Sequence, residues 1–129
     1  MSHRPFLEER LVTTAALTAM ESFHADVLRD VQQAVRREPV VVVGMAQNVH
    51  VRNVRRALDA AGIAYTYLEY GSYVSGWRKR LAIKLWSGWP TFPQVFAGGM
   101  LVGGEELAKV AIADGSLKTL VSGASKAPA

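Results

Sequence analysis

Two segments of the chain carry residues that could bind an anionic ligand. Gly103-Gly104 precedes Glu105, where acidic residues predict a helix start, and the free N–H groups of a first helical turn favour an anion. Arg80 and Lys84 are four residues apart on another predicted helix, so both cations could meet one carboxylate. Simpler interpretations stay open, because the acidic pair could merely complement the helix dipole and the two cations could lie on a solvated face.

The chain contains no cysteine. Its own side chains therefore cannot perform disulfide exchange, thiolate catalysis or cysteine ligation of a cluster. His50 is a titratable residue between two valines, but the sequence shows no partner that would make it a general base. His3 and His24 have no metal-ligand spacing to it. His50 is therefore predicted to be a surface or capping residue at a helix start, and no metal site is predicted.

Composition limits the class of protein and its partners. A chain of 129 residues is most simply one domain, and its net charge of +4 is spread over dispersed basic residues without a nucleic-acid motif. The tryptophans are predicted to pack and to line a groove rather than to stack on bases: Trp77, Trp86 and Trp89. No secretory signal and no membrane-spanning apolar run is seen, so a soluble cytoplasmic protein is expected, with neither nucleic acid nor membrane as a partner.

The N-terminal part of the chain is predicted to be helical. From Phe6 to Arg37 apolar residues recur every four positions, and Gly and Pro are absent between Phe6 and Pro39. One break is expected, either at Thr13-Thr14 or at Ser22, because hydroxyl side chains compete for backbone hydrogen bonds and cap helices well.

The remainder predicts alternating strands and helices. "VVVV" (residues 40–43) is typical of a strand buried on both faces, and "VRNVRRALDAAGI" predicts a helix before the strand "AYTYLEY". The two strands should be parallel, since a helix connects them. "SGWRKRLAIKLW", a hairpin around Gly98-Gly99 and a last helix from Glu105 to Ile112 complete the α-β-α-β-α-β-β-α order. "SGASKAPA" is expected to be a disordered tail.

This order, together with three motifs, resembles the glutaredoxins, a branch of the thioredoxin fold, and in particular their monothiol Cys-Gly-Phe-Ser type. The motifs are "VQQAVRREPVVVV", "WSGWPTFPQVF" and "LVGGEEL", and they occur in the family's order. The resemblance spans about Val27 to Leu120. It implies an α/β thioredoxin-like fold with a central mixed four-stranded sheet flanked by helices. The domains predicted are an N-terminal helical extension (1–25), a glutaredoxin-like domain (26–121) and a disordered tail (122–129).

The chain departs from this family at the nucleophile. Asn48 occupies the position of the reactive cysteine, and Met45 that of a lysine after the first strand. An asparagine amide is not nucleophilic and cannot form a mixed disulfide. We therefore expect no catalytic residue, no disulfide reductase activity and no cluster bound through cysteine and glutathione.

The resemblance assigns ligand-binding roles to the other half of the site. It implies a cis peptide bond between Phe92 and Pro93, which would present the Phe92 backbone to an extended peptide such as glutathione. The alternative is that Pro93 only shapes a turn. The N–H groups beside Gly104, those of Glu105 and Glu106, would hold one glutathione carboxylate, and the Glu106 side chain would meet its amino group. By the same resemblance, Arg80 and Lys84 would reach the other carboxylate.

Three functions remain open from the sequence. The first is non-covalent binding of a peptide, a protein partner or glutathione in this groove, without redox turnover. The second is a structural or assembly role, including a homodimer, through the apolar stripe of the N-terminal helix. The third is an enzyme that uses glutathione itself as the thiol while the protein positions it. No resident cofactor is predicted beyond weakly bound glutathione.

Overall fold

A computed structural model describes residues 4–126 of the chain. After a 3-10 helix at Glu9–Leu11, the helices and strands follow in this order: α1 (Thr14–Ser22), α2 (Ala25–Arg37), β1 (Val40–Gly44), α3 (Val49–Ala60), β2 (Thr66–Glu69), α4 (Trp77–Ser87), β3 (Gln94–Ala97), β4 (Met100–Gly103), α5 (Glu105–Asp114) and α6 (Ser116–Lys126).

The sheet is mixed and has four strands in the order β2-β1-β3-β4. β1 pairs with β2 in parallel, as the helical connection predicts, whereas β1–β3 and β3–β4 are antiparallel. All five residues of β1 are buried, because helices cover both faces of this central strand.

Two apolar layers hold the helices against the sheet. On one face α2 and α4 pack on β1 and β3 through residues that include Val31, Ile83 and Phe96. On the other face α3, α5 and α6 contribute a second layer that includes Leu58 and Leu117, both fully buried. The predicted thioredoxin-like sandwich is confirmed, and it sets the first residues of α3 and α5 on the same side of the sheet.

The N-terminal helix is interrupted at both predicted positions instead of one. The side chain of Thr13 caps α1 by accepting a hydrogen bond from the Ala16 N–H at 3.2 Å, and His24 at φ 48° separates α1 from α2. Between Phe6 and Thr13 the chain forms no α-helix. Phe6 and Leu7 are 72% and 69% exposed. These apolar side chains lack a packing surface, so the predicted helix from Phe6 to Thr13 is wrong.

The C-terminal prediction also needs correction. The last helix predicted, Glu105 to Ile112, continues to Asp114, and Gly115 at φ 82° then separates it from α6. α6 runs through Lys126, so residues 122–126 are helical rather than disordered, while residues 127–129 lie outside the described part. The reason is packing, because Leu117, Leu120 and Val121 recur at helical spacing and contact the second apolar layer.

Candidate functional site

Asn48, at the position of the expected nucleophile, is the N-cap of α3. Its Oδ1 accepts hydrogen bonds from the N–H groups of His50 at 2.9 Å and Val51 at 3.0 Å, and its Nδ2 donates to the Tyr73 hydroxyl at 3.2 Å. An asparagine suits this position because its carbonyl oxygen satisfies N–H groups that the helix leaves unpaired. Met45, at the position of the expected lysine, is buried. The side chain at position 48 thus stabilises a helix start.

A groove lies beside this helix start and contains most of the predicted ligand-binding residues. Its volume is about 480 Å³. The Phe92–Pro93 peptide bond is cis, as the resemblance implied, and pairing of β3 with β1 begins only at Gln94, opposite Val43. Phe92 therefore lies outside that ladder, next to the groove. The lining comprises His50, Trp89, Thr91, Phe92, Pro93, Gly104, Glu105, Glu106 and Leu107.

The start of α5 forms one side of the groove. Gly104 is its N-cap and provides no side chain to satisfy the N–H groups of the first turn. A Cβ at Gly104 would lie 3.3 Å from Trp89 Nε1 and 3.6 Å from the Pro93 oxygen, so a glycine allows the backbone and the indole to approach closely. Trp89 Nε1 is itself buried without a hydrogen-bond partner among the described residues. This geometry leaves the helix start open to an anion.

His50 and Glu105 form a contact that the sequence did not predict. His50 Nδ1 lies 2.6 Å from Glu105 Oε1, which connects the first turn of α3 to the first turn of α5 across 55 positions of sequence. The hydrogen bond from His50, with smaller effects from Asn53 and Lys109, lowers the pKa of Glu105 below its ordinary value. Glu105 is therefore ionised at neutral pH. No local signal could have revealed this pair, because only the fold brings its two members together.

Arg80 lies outside the groove lining and supports a loop. Its side chain is buried, and Nη1 donates to the carbonyl oxygens of Tyr70 at 3.0 Å and Ser75 at 2.8 Å. The guanidinium thus fixes the loop before α4 through Nη1, and its assignment to a glutathione carboxylate stays a prediction. Helical spacing placed Arg80 and Lys84 on one face but could not show how deeply each side chain lies.

Lys84 remains beside the groove. Its Nζ lies 5.7 Å from the centroid of the Phe92 ring, a cation–π distance. Of the seven predicted ligand-binding residues, five line the groove, Lys84 adjoins it through Phe92, and Arg80 is elsewhere. Their binding roles stay predictions.

The tryptophans differ in their surroundings. Trp89 lines the groove, and Trp86 packs on Phe96 with ring centroids 5.9 Å apart. Trp77 is 59% exposed, so the packing role predicted for it is wrong. Among residues 4–126 there is no cluster of three or more potential metal ligands, and within the same range no helix has the length and apolar character needed to cross a membrane.

Comparison with known proteins agrees with this fold. The glutaredoxin family model matches residues 50–102. The chain is 48% identical over 85 residues to a glutaredoxin-like protein of Dictyostelium discoideum. This alignment covers 66% of this chain and 69% of that protein. The chain therefore belongs to the glutaredoxin family, as a member without cysteine.

Solved structures of plant glutaredoxins share the architecture. A buckwheat glutaredoxin–glutathione complex superposes with a TM-score of 0.67 at 26% identity. The superposition covers 81% of this chain and 94% of the buckwheat chain. Reduced glutaredoxin C1 of Populus tremula x tremuloides superposes with a TM-score of 0.69 at 24% identity, over 83% of this chain and 92% of that protein. At this identity the similarity supports the fold and nothing further.

Proposed function

We propose that this protein binds an extended peptide, a segment of a partner protein or glutathione in the groove between α3 and α5, without redox turnover. One observation carries the proposal. Five of the residues that the family resemblance assigned to ligand binding line a single groove, while the nucleophile position is occupied by a helix-capping asparagine. These two features support a site whose binding half is retained and whose reactive half is replaced.

The contacts available to a peptide are of three kinds. The uncapped first turn of α5 offers N–H groups to a carboxylate. The Lys84 ammonium beside Phe92 offers a cation to a second carboxylate. The backbone of Phe92, outside the β1–β3 ladder, offers pairing to an extended chain. The buckwheat relative, whose structure is a complex with glutathione, supports a small peptide of this class as the ligand.

Two narrower proposals accompany this one. The "WPTFPQ" segment favours the monothiol type as the nearest branch of the family. A cytoplasmic location, where glutathione and reduced partners would be available, remains a prediction from the N-terminal sequence.

Titration with glutathione tests the binding function. We expect chemical-shift changes in NMR spectra centred on Phe92 and residues 104–106, with a dissociation constant of about 1 mM, equivalent to roughly −4 kcal/mol. Binding should be weak because no covalent bond offsets the ordering of a flexible tripeptide, and because Met45 replaces a cation.

The variant Lys84→Ala should weaken this binding, and Lys79→Ala, which removes an exposed lysine of the same helix, should not. Absence of shift changes at high glutathione concentration would redirect the search for a ligand to protein partners. Equal weakening by both variants would contradict a specific role for Lys84.

An assembly function is the second candidate, and an apolar groove between the N-terminal helices and α4 favours it. This groove has a volume of about 470 Å³, and Met20 and Leu85 in it are 59% and 70% exposed. Surface patches of this kind mark interaction sites. Its lining comprises Ala19, Met20, Phe23, Leu28, Ala82, Leu85 and Trp86.

Sedimentation of the full chain tests this candidate. If two copies associate through the apolar groove, the protein should sediment as a dimer, and Leu85→Glu should give a monomer by placing a charge in the interface. A monomer at all concentrations for the unmodified chain would contradict the homodimer.

A further inference from the structure

The pair formed by His50 and Glu105 has the geometry of an oriented base. An ionised carboxylate can only accept hydrogen bonds, so the 2.6 Å contact requires that His50 Nδ1 carries the proton. In the neutral ring the other nitrogen, Nε2, is then an acceptor. The two residues also differ in exposure, since the side chain of Glu105 is 17% exposed and that of His50 is 61% exposed. The carboxylate is thus the less exposed member of the pair, and the imidazole remains accessible.

The groups around the pair favour an ionised Glu105 but act in opposite directions on an anionic ligand. Lys109 Nζ lies 3.5 Å from Glu105 Oε2, and Asn53 also hydrogen-bonds to this carboxylate. The carboxylate of Glu106 is the other acidic group of the groove lining. The positive end of α5 faces the groove, where it favours a negative charge on a ligand.

We infer that His50, oriented by Glu105, accepts the proton of a thiol bound in the groove, so that the ligand supplies the sulfur nucleophile that the protein lacks. The class of ligand is a small thiol that carries carboxylates, of which glutathione is an example. This inference rests on the proposed function, because the groove must first bind such a ligand.

The acidity of a thiol suits this base. A cysteine thiol has an ordinary pKa of about 8.5, close enough to neutral pH for an oriented imidazole to accept its proton. In the step, the S–H proton moves to Nε2, the resulting imidazolium stays paired with Glu105, and the sulfur becomes a thiolate. No electrons are exchanged.

The pH dependence of glutathione alkylation tests the inference. Iodoacetamide serves as the carbon electrophile: the thiolate forms the S–C bond, the C–I bond breaks, iodide leaves, and the imidazolium later loses its proton to solvent. We expect the midpoint of the rate profile for bound glutathione to lie about one pH unit below that of free glutathione. The rate below both midpoints would then rise about tenfold.

Three variants separate the roles. His50→Gln should abolish the shift of the midpoint. Glu105→Gln should reduce the shift, as expected of a positioning residue. The matched control His24→Gln changes a histidine outside the groove lining and should keep the full shift. The bound fraction is measured for each variant by NMR titration, and the contribution of free glutathione is subtracted from each rate.

The outcomes distinguish this inference from the proposed function. If the unmodified protein does not bind glutathione, both the glutathione form of the proposal and the inference fail. If glutathione binds but its midpoint is unshifted, or the shift persists in His50→Gln, the binding function stands and the inference is overturned. A full shift in Glu105→Gln would remove the positioning role.

Discussion

The variant Asn48→Cys is expected to gain glutathione-dependent disulfide reductase activity, which the natural chain should lack altogether. The introduced thiol would lie at the first turn of α3, where the N–H groups of His50 and Val51 now bond to the Asn48 side chain. These groups and the helix dipole would lower the thiol pKa and favour the thiolate. The thiolate would attack the glutathionyl sulfur of a mixed disulfide held in the groove and release the substrate as a thiolate. A glutathione thiolate would then attack the protein–glutathione disulfide, which gives oxidised glutathione and restores the protein thiolate.

The assay is reduction of a small glutathione mixed disulfide, followed through NADPH consumption by glutathione reductase. Asn48→Ser is the matched control, because serine also caps a helix but carries no thiol. Turnover by the natural chain above the rate without protein would contradict our account of position 48. An inactive Asn48→Cys variant that is folded and has a titratable thiol would show that the groove does not align a disulfide with α3.

Replacing Arg80 with methionine should destabilise the fold by about 2–4 kcal/mol. The substitution removes the donor that serves the carbonyl oxygens of Tyr70 and Ser75, and it leaves both partly buried without that partner. The loop also packs closely on this guanidinium, since a Cβ at Gly71 would lie 2.8 Å from Arg80 Nη1.

Urea unfolding of Arg80→Met beside Arg78→Met gives the measurement. Arg78 is exposed on the same helix and contacts the rings of Phe23 and Trp77, so its loss should cost no more than about 1 kcal/mol. Equal effects of the two variants would show that Arg80 is not a structural residue. If Arg80→Met is fully folded but binds glutathione much more weakly, the result would support the ligand-binding role that the sequence predicted for Arg80.

The fold was predictable from sequence because its signals are local. The run at residues 40–43, the glycine turn at Gly98-Gly99 and the helical spacing of α3 each specify an element, and short connections leave few ways to join them. The helical signal of Leu117, Leu120 and Val121 was also present, but the small residues after it suggested disorder. The packing of Leu117, Leu120 and Val121 against the second apolar layer makes this segment helical.

The site was only partly predictable because its contacts join distant segments. The "WPTFPQ" and "LVGGEEL" motifs located five groove residues, since each motif combines a turn with its flanking element. The partnership of His50 with Glu105 depends on how α3 and α5 pack, and the burial of Arg80 depends on a loop that folds over it. Neither fact has a signature in spacing or composition.

The Asn48 cap also determines what the groove can respond to. Because no covalent bond can form between this side chain and a ligand sulfur, the occupied fraction depends on ligand concentration and the dissociation constant through mass action. A cysteine at this position would instead make occupancy follow the reduction potential of its surroundings. The protein is therefore expected to respond to the concentration of its ligand without a redox change of its own.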